Sequence, residues 1–490
     1  MNILVIDIGT TSMRGILYDR SGKELCQVSR LTPLIFTNDY IEQDPLTLKD
    51  KMTEIVREIS DAFTIDAISV TAFRSAPALI DKDGNPLSNF IMWQDTRNKE
   101  ICERIESKNP EIHQTVGAKV NAVFTASKIT WFKEHLTDVY NKAYKALVVP
   151  DYLINVMTGA FTSEKTYGSR TGVMNIHSLE YDEEMLRLYN LDLEKLPELK
   201  ETGSVAGNTT AAFEEAAGVK AGTPVITTGG DQQNSALGLG EMDDSSLVIN
   251  CGTGSFIISL IDHPYLDNQA MICNTSAIPG KYVLESNVLA SAAALNWLLK
   301  ELFPELWNDG NPDFARFHEI ISISSPGANG VRIVPLFQGC GSRDWNLNAR
   351  ASFSHISLGN TRADLGRAML EGIAAEITRS VRSLPERCQN VSQIYIGGGL
   401  TKSELFDQIL SDMLGKTLIR YDDSQATAIG SFISASVTLG IYSDYQTAFN
   451  AARSGSTIYT YTPNTENYGI YQNVVNDTEV VYEALKNGRQ

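Results

Sequence analysis

Short apolar runs alternate with longer segments of helical periodicity along the chain. Residues 3–8 form an apolar run with a single acid, which predicts a central strand. A polar turn follows at 9–12, and a second apolar run at 13–18 predicts a second strand. Apolar residues at helical spacing predict a helix over 45–63, and a further strand is expected at 65–72. Strands that alternate with helices indicate an α/β fold.

One segment of the first strand and its turn has a counterpart near the middle of the chain. The sequence VIDIGTTS at residues 5–12 is matched by VINCGTGS at residues 248–255. Both segments are apolar strands that end in Gly-Thr-x-Ser and continue into another apolar run. This repeat predicts two lobes of similar architecture, although two short runs of common residues also match by chance. The polar stretch at 240–245 places the boundary, giving domains 1–243 and 244–490.

The second half repeats the alternation of helices and strands. Residues 362–384 carry a long apolar stripe that predicts a helix, and residues 391–396 predict a strand. Three glycines follow at 397–399, and another helix is expected after them. Thr401 and Glu404 have the spacing of a capping box for this helix.

Composition and charge exclude several classes of partner. The 490 residues include 41 Lys and Arg against 59 Asp and Glu, a net charge of −18. Such a surface repels nucleic acid and anionic membranes, so we expect neither as a partner. No apolar stretch approaches the roughly 18 residues of a membrane helix, and the N-terminus lacks a signal-peptide pattern, which predicts a cytoplasmic protein. Six dispersed cysteines without a CxxC pair predict reduced thiols.

Three glycine-rich turns follow predicted strands and are candidates for nucleotide contacts. Turns rich in Gly, Thr and Ser direct backbone N–H groups and hydroxyls to one point, which suits phosphate oxygens. Ordinary hairpin turns have the same composition, and a plain loop also accounts for the third cluster, which otherwise suits a flat adenine or ribose. No GxxxxGK[ST] motif is present, so a Walker-type loop is excluded. The candidate nucleotide residues are Gly9, Thr10, Thr11 and Ser12, with Arg14 close behind them, Gly252, Thr253 and Gly254, and Gly398 and Gly399.

Two acids stand at positions where chemistry is expected. Asp7 lies inside the apolar run of the first strand, where a carboxylate needs a partner. That partner is either a Lys or Arg, or a Mg²⁺ beside the phosphate turn. Asp231 follows the predicted strand 224–228 and begins a predicted helix at 231–237. It is either an N-cap of that helix or a base that takes the proton of a substrate hydroxyl.

Further motifs follow in a fixed order. They are DIGTTS at 7–12, YIEQDP at 40–45, WQDTR at 93–97, TASKITW at 125–131, VVPDYL at 148–153, GDQQ at 230–233, GTGS at 252–255, RAMLEG at 367–372 and GGGL at 397–400. In this order the chain resembles the FGGY family of carbohydrate kinases, within the sugar kinase–actin–Hsp70 superfamily. The resemblance runs nearly from end to end.

The resemblance implies a fold and a reaction. It implies two ribonuclease-H-like (actin-like ATPase) lobes with ATP in the cleft between them. Members transfer the γ-phosphoryl group of Mg-ATP to a hydroxyl of a small sugar or polyol, so ATP and Mg²⁺ are the expected cofactors. Relatives are often oligomers, so the resemblance also allows a homo-oligomer. By the same likeness Asp231 is the catalytic base, Asp7 positions the metal, Thr10, Thr11 and Thr253 hold phosphates, Gly398 and Gly399 flank the adenosine, and Arg74, Trp93, Asp231, Gln232 and Phe256 contact the sugar.

The substrate pocket departs from the patterns of known members. Ser75 follows Arg74 where glycerol kinases show a glutamate, and Val123 replaces their pocket tyrosine. The Met-His pair of xylulokinases is absent beside Arg74. We therefore expect a ketose such as xylulose or ribulose, with glycerol or another short polyol as the alternative.

Two rival functions come from other classes. An actin-like or Hsp70-like ATPase clamp needs no acceptor pocket, and the Arg74, Trp93 and Asp231 set argues against it. A non-catalytic sugar sensor is disfavoured because both acids, Asp7 and Asp231, are retained.

Overall fold

The computed structural model describes residues 1–37, 40–308, 311–422 and 425–487. The strands are β1 (Asn2–Ile8), β2 (Ser12–Asp19), β3 (Glu24–Leu31), β4 (Ile35–Thr37), β5 (Tyr40–Gln43), β6 (Ala67–Ala72), β7 (Pro77–Ile80), β8 (Phe90–Ile91), β9 (Lys145–Val148), β10 (Thr162–Glu164), β11 (Glu198–Lys200), β12 (Ser204–Asn208), β13 (Pro224–Gly230), β14 (Ser246–Cys251), β15 (Ser255–Ile261), β16 (Ile272–Thr275), β17 (Tyr282–Val288), β18 (Trp307–Asn308), β19 (Asn311–Pro312), β20 (Arg332–Val334), β21 (Ser352–Ser354), β22 (Gln393–Gly397), β23 (Leu418–Tyr421) and β24 (Ile458–Tyr461).

The helices account for about half of the remaining described residues. They are α1 (Pro45–Ser60), α2 (Lys99–Ile105), α3 (Asn109–Val116), α4 (Thr125–His135), α5 (Thr137–Lys142), α6 (Val149–Thr158), α7 (Lys165–Gly168), α8 (Glu183–Leu188), α9 (Ala211–Ala217), α10 (Asp231–Leu239), α11 (Ala292–Leu302), α12 (Phe314–Ile321), α13 (Arg362–Arg382), α14 (Glu386–Gln389), α15 (Glu404–Leu414), α16 (Ala426–Thr438), α17 (Tyr445–Arg453) and α18 (Thr465–Asn487). None of the helices in the described ranges is long and apolar enough to cross a membrane.

The chain divides into two compact units, and both are discontinuous in sequence. Unit 1 comprises residues 1–238, 261–284 and 425–455, and unit 2 comprises residues 239–260, 285–424 and 456–490. The first crossing lies close to the predicted boundary at 243/244. A single boundary does not separate the units, because the chain returns to unit 1 at 261–284 and again, with α16 and α17, at 425–455.

Unit 1 is built on a six-stranded sheet in the order β12-β13-β6-β1-β2-β3. β1 pairs with β2 in antiparallel and with β6 in parallel orientation, and β6 pairs in parallel with β13. The two predicted strands at the N-terminus are therefore confirmed. The predicted helix over 45–63 is α1, and its buried face carries Leu48, Met52, Ile55, Val56 and Ile59.

Two helices of unit 1 approach each other at backbone distance through glycines. A Cβ on Gly238 of α10 would lie 1.9 Å from the Ala426 carbonyl oxygen at the start of α16. A Cβ on Gly430 of α16 would lie 1.9 Å from the Asn234 carbonyl oxygen. α16 also packs against β1, β6 and β13, so α10 is held at its middle and its end by a helix that lies on the sheet.

Unit 2 repeats the strand arrangement of unit 1. Its sheet contains the order β17-β15-β14-β22-β23-β24. β14 pairs with β15 in antiparallel and with β22 in parallel orientation, as β1 does with β2 and β6. Both sheets are therefore ribonuclease-H-like, and the repeat in the sequence marks the same hairpin in each.

One local prediction in the second half is wrong. Thr401 does not cap α15, because it lies within a 3₁₀ turn over Gly399–Lys402, where its hydroxyl donates to the Gly398 carbonyl at 2.9 Å. The cap is Ser403, whose Oγ accepts the Phe406 N–H at 3.1 Å. The inserted turn shifts the helix start by a few residues.

Candidate active site

Three parallel strands of unit 1 end at one edge of the sheet. Ile8 on β1 pairs with Ala72 on β6, and Ala72 pairs with Gly230 on β13. The residues that follow these positions include the first glycine-rich turn, Arg74 and Asp231. Because the strands are parallel, their carboxyl ends meet, and residues far apart in sequence become neighbours.

Asp231 is the first residue of α10 and keeps part of its surface exposed. Its Oδ1 accepts the Gln232 backbone N–H at 2.8 Å and lies 3.7 Å from Arg74 Nε. The Asp231 side chain is 29% exposed, whereas that of Arg74 is 7% exposed. Arg74 also donates through Nη1 to Gln233 Oε1 at 3.3 Å. The carboxylate therefore has a cation beside it and remains open to a ligand.

The glycine pair before Asp231 leaves room for a neighbouring side chain. A Cβ on Gly230 would lie 2.8 Å from the Cδ of Arg74 and 2.8 Å from Gln233 Oε1. Gly230 therefore makes room for the Arg74 side chain, and Gly229 adopts a φ of +109°.

Trp93 lies beside the first glycine-rich turn. Its indole Nε1 donates to Thr10 Oγ1 at 3.2 Å, and the residue is 38% exposed. Two residues on, the buried Asp95 accepts the Ile41 N–H at 2.7 Å and two guanidinium N–H groups of Arg97 at 2.9 and 2.8 Å. This ion pair anchors the segment that carries Trp93. Their motif in the sequence had given no role to Asp95 and Arg97.

Asp7 and Arg14 face each other across the first hairpin. They are direct partners in the β1–β2 register, and Arg14 Nη2 lies 2.5 Å from Asp7 Oδ2. Burial raises the pKa of the Asp7 carboxyl, and the charge of Arg14 opposes that rise. Of the two partners expected for Asp7, the basic side chain is therefore present, and it is Arg14.

Asp7 also suits a metal at the first turn. No group of three or more potential ligands among His, Cys, Asp and Glu occurs in the described part of the chain. Mg²⁺ in kinase sites commonly uses one or two carboxylates, with waters and substrate phosphates as its other ligands. A single buried carboxylate close to the first glycine-rich turn fits that requirement.

The carbonyl groups of the first turn are held by buried neighbours. Gln43 is fully buried and donates through Nε2 to the carbonyl oxygens of Thr10 at 3.2 Å and Thr32 at 3.0 Å. The Thr32 N–H donates to the Thr11 carbonyl at 2.9 Å. Thr11 itself is exposed at the tip of the turn. Gln43 was not among the predicted site residues, although it lies in the motif at 40–45.

The equivalent turn of unit 2 joins β14 to β15 and contacts the start of α11. The Thr253 carbonyl accepts the Ser291 N–H at 2.8 Å, and the Gly252 carbonyl accepts the Ala292 N–H at 3.1 Å. A Cβ on Gly254 would lie 2.6 Å from the Val288 carbonyl oxygen. The carbonyls thus bond to the helix start, and Thr253 is exposed at the tip.

The third glycine cluster lies at the same sheet edge of unit 2. Asn250 pairs with Gly397 across β14 and β22, so both strands end together. Gly398 has a φ of +97°, and a Cβ there would lie 2.5 Å from the Cys251 carbonyl oxygen. Gly399 is exposed with open space around it. Phe256 on β15 pairs with Asn250 on β14, as Arg14 on β2 pairs with Asp7 on β1 in unit 1.

Comparison with known proteins identifies the family. The N-terminal domain model of the FGGY family of carbohydrate kinases matches residues 2–238, and its C-terminal domain model matches residues 247–439. The chain therefore belongs to the FGGY family and is a carbohydrate kinase. This confirms the predicted family, fold class and enzyme class.

Relatives of known name cover nearly the whole chain. The glycerol kinase of Thermococcus onnurineus is 31% identical over 90% of this chain and 89% of its own length. That of Natranaerobius thermophilus is 28% identical over 90% and 91%. The solved structure of a ligand-bound xylulose kinase from Lactobacillus acidophilus has a TM-score of 0.91 at 23% identity, covering 99% and 98% of the two chains. A Plasmodium falciparum glycerol kinase with ADP has a TM-score of 0.88 at 24% identity, covering 98% of each.

Proposed function

We propose that this carbohydrate kinase transfers the γ-phosphoryl group of ATP to a hydroxyl of a small sugar, a ketose such as xylulose or ribulose. One observation carries the proposal. The partly exposed carboxylate of Asp231 lies 3.7 Å from Arg74, at the sheet edge where β1 also ends in the first glycine-rich turn. An acceptor hydroxyl and a phosphoryl group therefore have adjacent binding elements within unit 1.

In this proposal Asp231 accepts the proton of the attacking hydroxyl. Phosphoryl transfer depends on positioning and charge neutralisation, so the base acts late and no free alkoxide is needed. Arg74, Trp93, Gln232 and Phe256 contact the sugar. Mg²⁺ would neutralise phosphate charge, with Asp7 as its protein ligand. The nucleotide contacts are Gly9, Thr10, Thr11, Ser12 and Arg14 in unit 1, and Gly252, Thr253, Gly254, Gly398 and Gly399 in unit 2.

The residue after Arg74 supports the choice of a ketose. Ser75 is buried with a φ of +69°, and its hydroxyl donates to the Arg170 carbonyl at 3.5 Å, so the position next to Arg74 presents no carboxylate. A pocket without that acceptor suits a sugar that presents a carbonyl oxygen there. Glycerol or another short polyol is the second candidate, favoured by relatives named glycerol kinase at 28–31% identity.

An ADP-release assay over matched ketoses, aldoses and polyols tests the substrate. We expect the highest kcat/KM with a five-carbon ketose and little ADP release without an acceptor. Preference for glycerol or a four-carbon polyol would select the second candidate. Equal release with every acceptor and with none would contradict sugar phosphorylation.

Replacing Asp231 by Asn tests the proposed base. Asparagine has a similar shape but cannot take the proton, so kcat should fall by roughly 10²–10⁴. Sugar binding, measured by calorimetry, should persist. The matched control is Asp262→Asn, which removes an exposed carboxylate paired with Lys281 in the same unit and should leave turnover unchanged. Turnover of Asp231→Asn equal to that of the control would exclude Asp231 as the base.

A further inference from the structure

The carbonyl oxygen of Gly229 receives an unusual number of side-chain donors. Thr71 Oγ1 donates to it at 2.9 Å, Asn234 Nδ2 at 2.9 Å and the Tyr167 hydroxyl at 3.0 Å. All of these residues are buried and belong to unit 1. A polar cluster of this kind fixes one peptide group, the one between Gly229 and Gly230, which precedes Asp231.

Tyr167 connects two strands where their pairing is irregular. The register of β13 against β6 shifts between Thr227 and Gly229. At this bulge the Tyr167 hydroxyl accepts the Ala72 N–H at 3.0 Å and donates to the Gly229 carbonyl. The phenol therefore bridges β6 and β13 immediately before Arg74 and Asp231.

A further hydrogen bond holds the N–H of the same peptide group. Thr166 Oγ1 accepts the Gly230 N–H at 2.8 Å and is itself bonded to the buried carboxylate of Glu164. Glu164 also accepts the N–H groups of Thr166 at 2.8 Å and Tyr167 at 3.1 Å, and the Thr202 hydroxyl at 2.5 Å. Glu164 thus caps α7 and orients both side chains that reach the glycines.

These contacts matter because glycine has little conformational preference of its own. Two consecutive glycines before Asp231 leave its backbone free to adopt many conformations unless outside groups restrict them. A displacement of about 1 Å at a reacting group costs on the order of 10²-fold in rate. The orientation of the carboxylate therefore depends on what holds Gly229 and Gly230.

We propose that Tyr167 and Thr166 are positioning residues for the base Asp231, oriented by Glu164 and acting through the peptide group between Gly229 and Gly230. The inference rests on the proposed function, since it assigns these residues to the reaction in which Asp231 is the base. Burial, with the nearby charge of Glu164, raises the pKa of the Tyr167 phenol well above its usual value, so its hydroxyl remains a donor.

Tyr167→Phe removes the bridging hydroxyl and keeps the ring. We expect kcat to fall roughly ten- to hundredfold, with the KM for ATP within about twofold of the parent value, because the loss affects orientation of the base. The control is Tyr140→Phe, another buried tyrosine of unit 1, whose hydroxyl donates to Asp192 Oδ2 at 3.0 Å. The control should lose similar thermal stability and keep its kcat.

A second pair of variants repeats the test at Thr166. Thr166→Val preserves shape and removes the hydroxyl that accepts the Gly230 N–H, so kcat should fall as in Tyr167→Phe. Thr166→Ser retains the hydroxyl and should restore most of the rate. A kcat loss in Tyr167→Phe that is no larger than in Tyr140→Phe, together with equal rates for the Val and Ser variants, would overturn the proposal.

The double variant Asp231→Asn/Tyr167→Phe separates this inference from the proposed function. If Tyr167 acts through Asp231, the double variant should be no slower than Asp231→Asn alone. A further loss equal to that caused by Tyr167→Phe in the parent would place the effect elsewhere and overturn the inference, leaving Asp231 as the base. Full turnover of Asp231→Asn would instead remove the base, and the positioning role would fall with it.

Discussion

Asp7 is a buried acid with two expected roles, an ion pair and a metal ligand. The ion pair with Arg14 is observed, and the metal role is still to be tested. Its carboxylate pairs with Arg14 across the first hairpin, which offsets the cost of burying a charge. The same carboxylate stands next to Gly9 and Thr10, where a Mg²⁺ bound to phosphate would lie in the proposed reaction. The ion pair and the metal site are therefore compatible at the level of this residue.

Replacing Asp7 by Asn separates the two roles. If Asp7 holds Mg²⁺, the Mg²⁺ concentration for half-maximal rate should rise about ten- to hundredfold, because a neutral amide is a weaker ligand. A titration of the initial rate with Mg²⁺ at saturating ATP measures this.

The matched variant is Arg14→Gln, which breaks the ion pair and keeps the carboxylate. We expect it to lower thermal stability while shifting the Mg²⁺ midpoint much less. An unchanged midpoint in Asp7→Asn would assign Asp7 to the ion pair alone.

At the scale of elements, the contact between α10 and α16 decides how rigidly α10 is held. Asp231 begins α10, and the two helices touch at backbone distance through Gly238 and Gly430. A glycine inside a helix ordinarily costs stability relative to alanine. Glycine stands at both positions because the gap between the two helices is too narrow for a Cβ.

Gly430→Ala should therefore destabilise the protein, against the ordinary propensity. A Cβ 1.9 Å from the Asn234 carbonyl oxygen forces the helices apart, and overpacking of this kind costs about 1–3 kcal/mol or more. The control is Gly469→Ala in α18, where no atom lies within 4 Å of the new Cβ. It should stabilise by up to about 1 kcal/mol. Denaturant unfolding of both variants measures the opposite signs, and equal signs would contradict the close contact.

At the scale of the whole molecule, buried acids make stability depend on pH. Glu241 is 2% exposed, and burial raises the pKa of its carboxyl to about 8. The folded state therefore holds a proton between pH 4.5 and 8 that the unfolded state releases. The contribution of Glu241 to stability is full below pH 4.5 and is lost as the pH rises through 8.

Glu241→Gln should remove this loss. Relative to the parent protein, the variant should gain apparent melting temperature at pH 8 compared with pH 5, because glutamine carries no charge at either pH. Thermal unfolding of both proteins at the two pH values measures the difference. The control is Glu386→Gln at an exposed site, which should show no such gain. A gain independent of pH in Glu241→Gln would exclude the raised pKa as its cause.

Local sequence determined most of the elements that carry the candidate site. The first hairpin, α1, α13 and β22 lie close to where apolar periodicity predicts them, because each pattern needs only neighbouring residues to bury one face. The repeated Gly-Thr turn also predicted the matching hairpins in the two units. The order of the motifs also predicted the family, which the two domain models confirmed.

Only the tertiary structure decided which groups meet at the base. The space that Gly230 leaves is filled by Arg74, and the glycines before Asp231 are held by Tyr167 and Thr166. α16, nearly two hundred residues further along the chain than Asp231, packs on the same sheet as part of unit 1. These contacts join residues that no local pattern links, since strand order and side-chain packing bring them together only after the chain has folded.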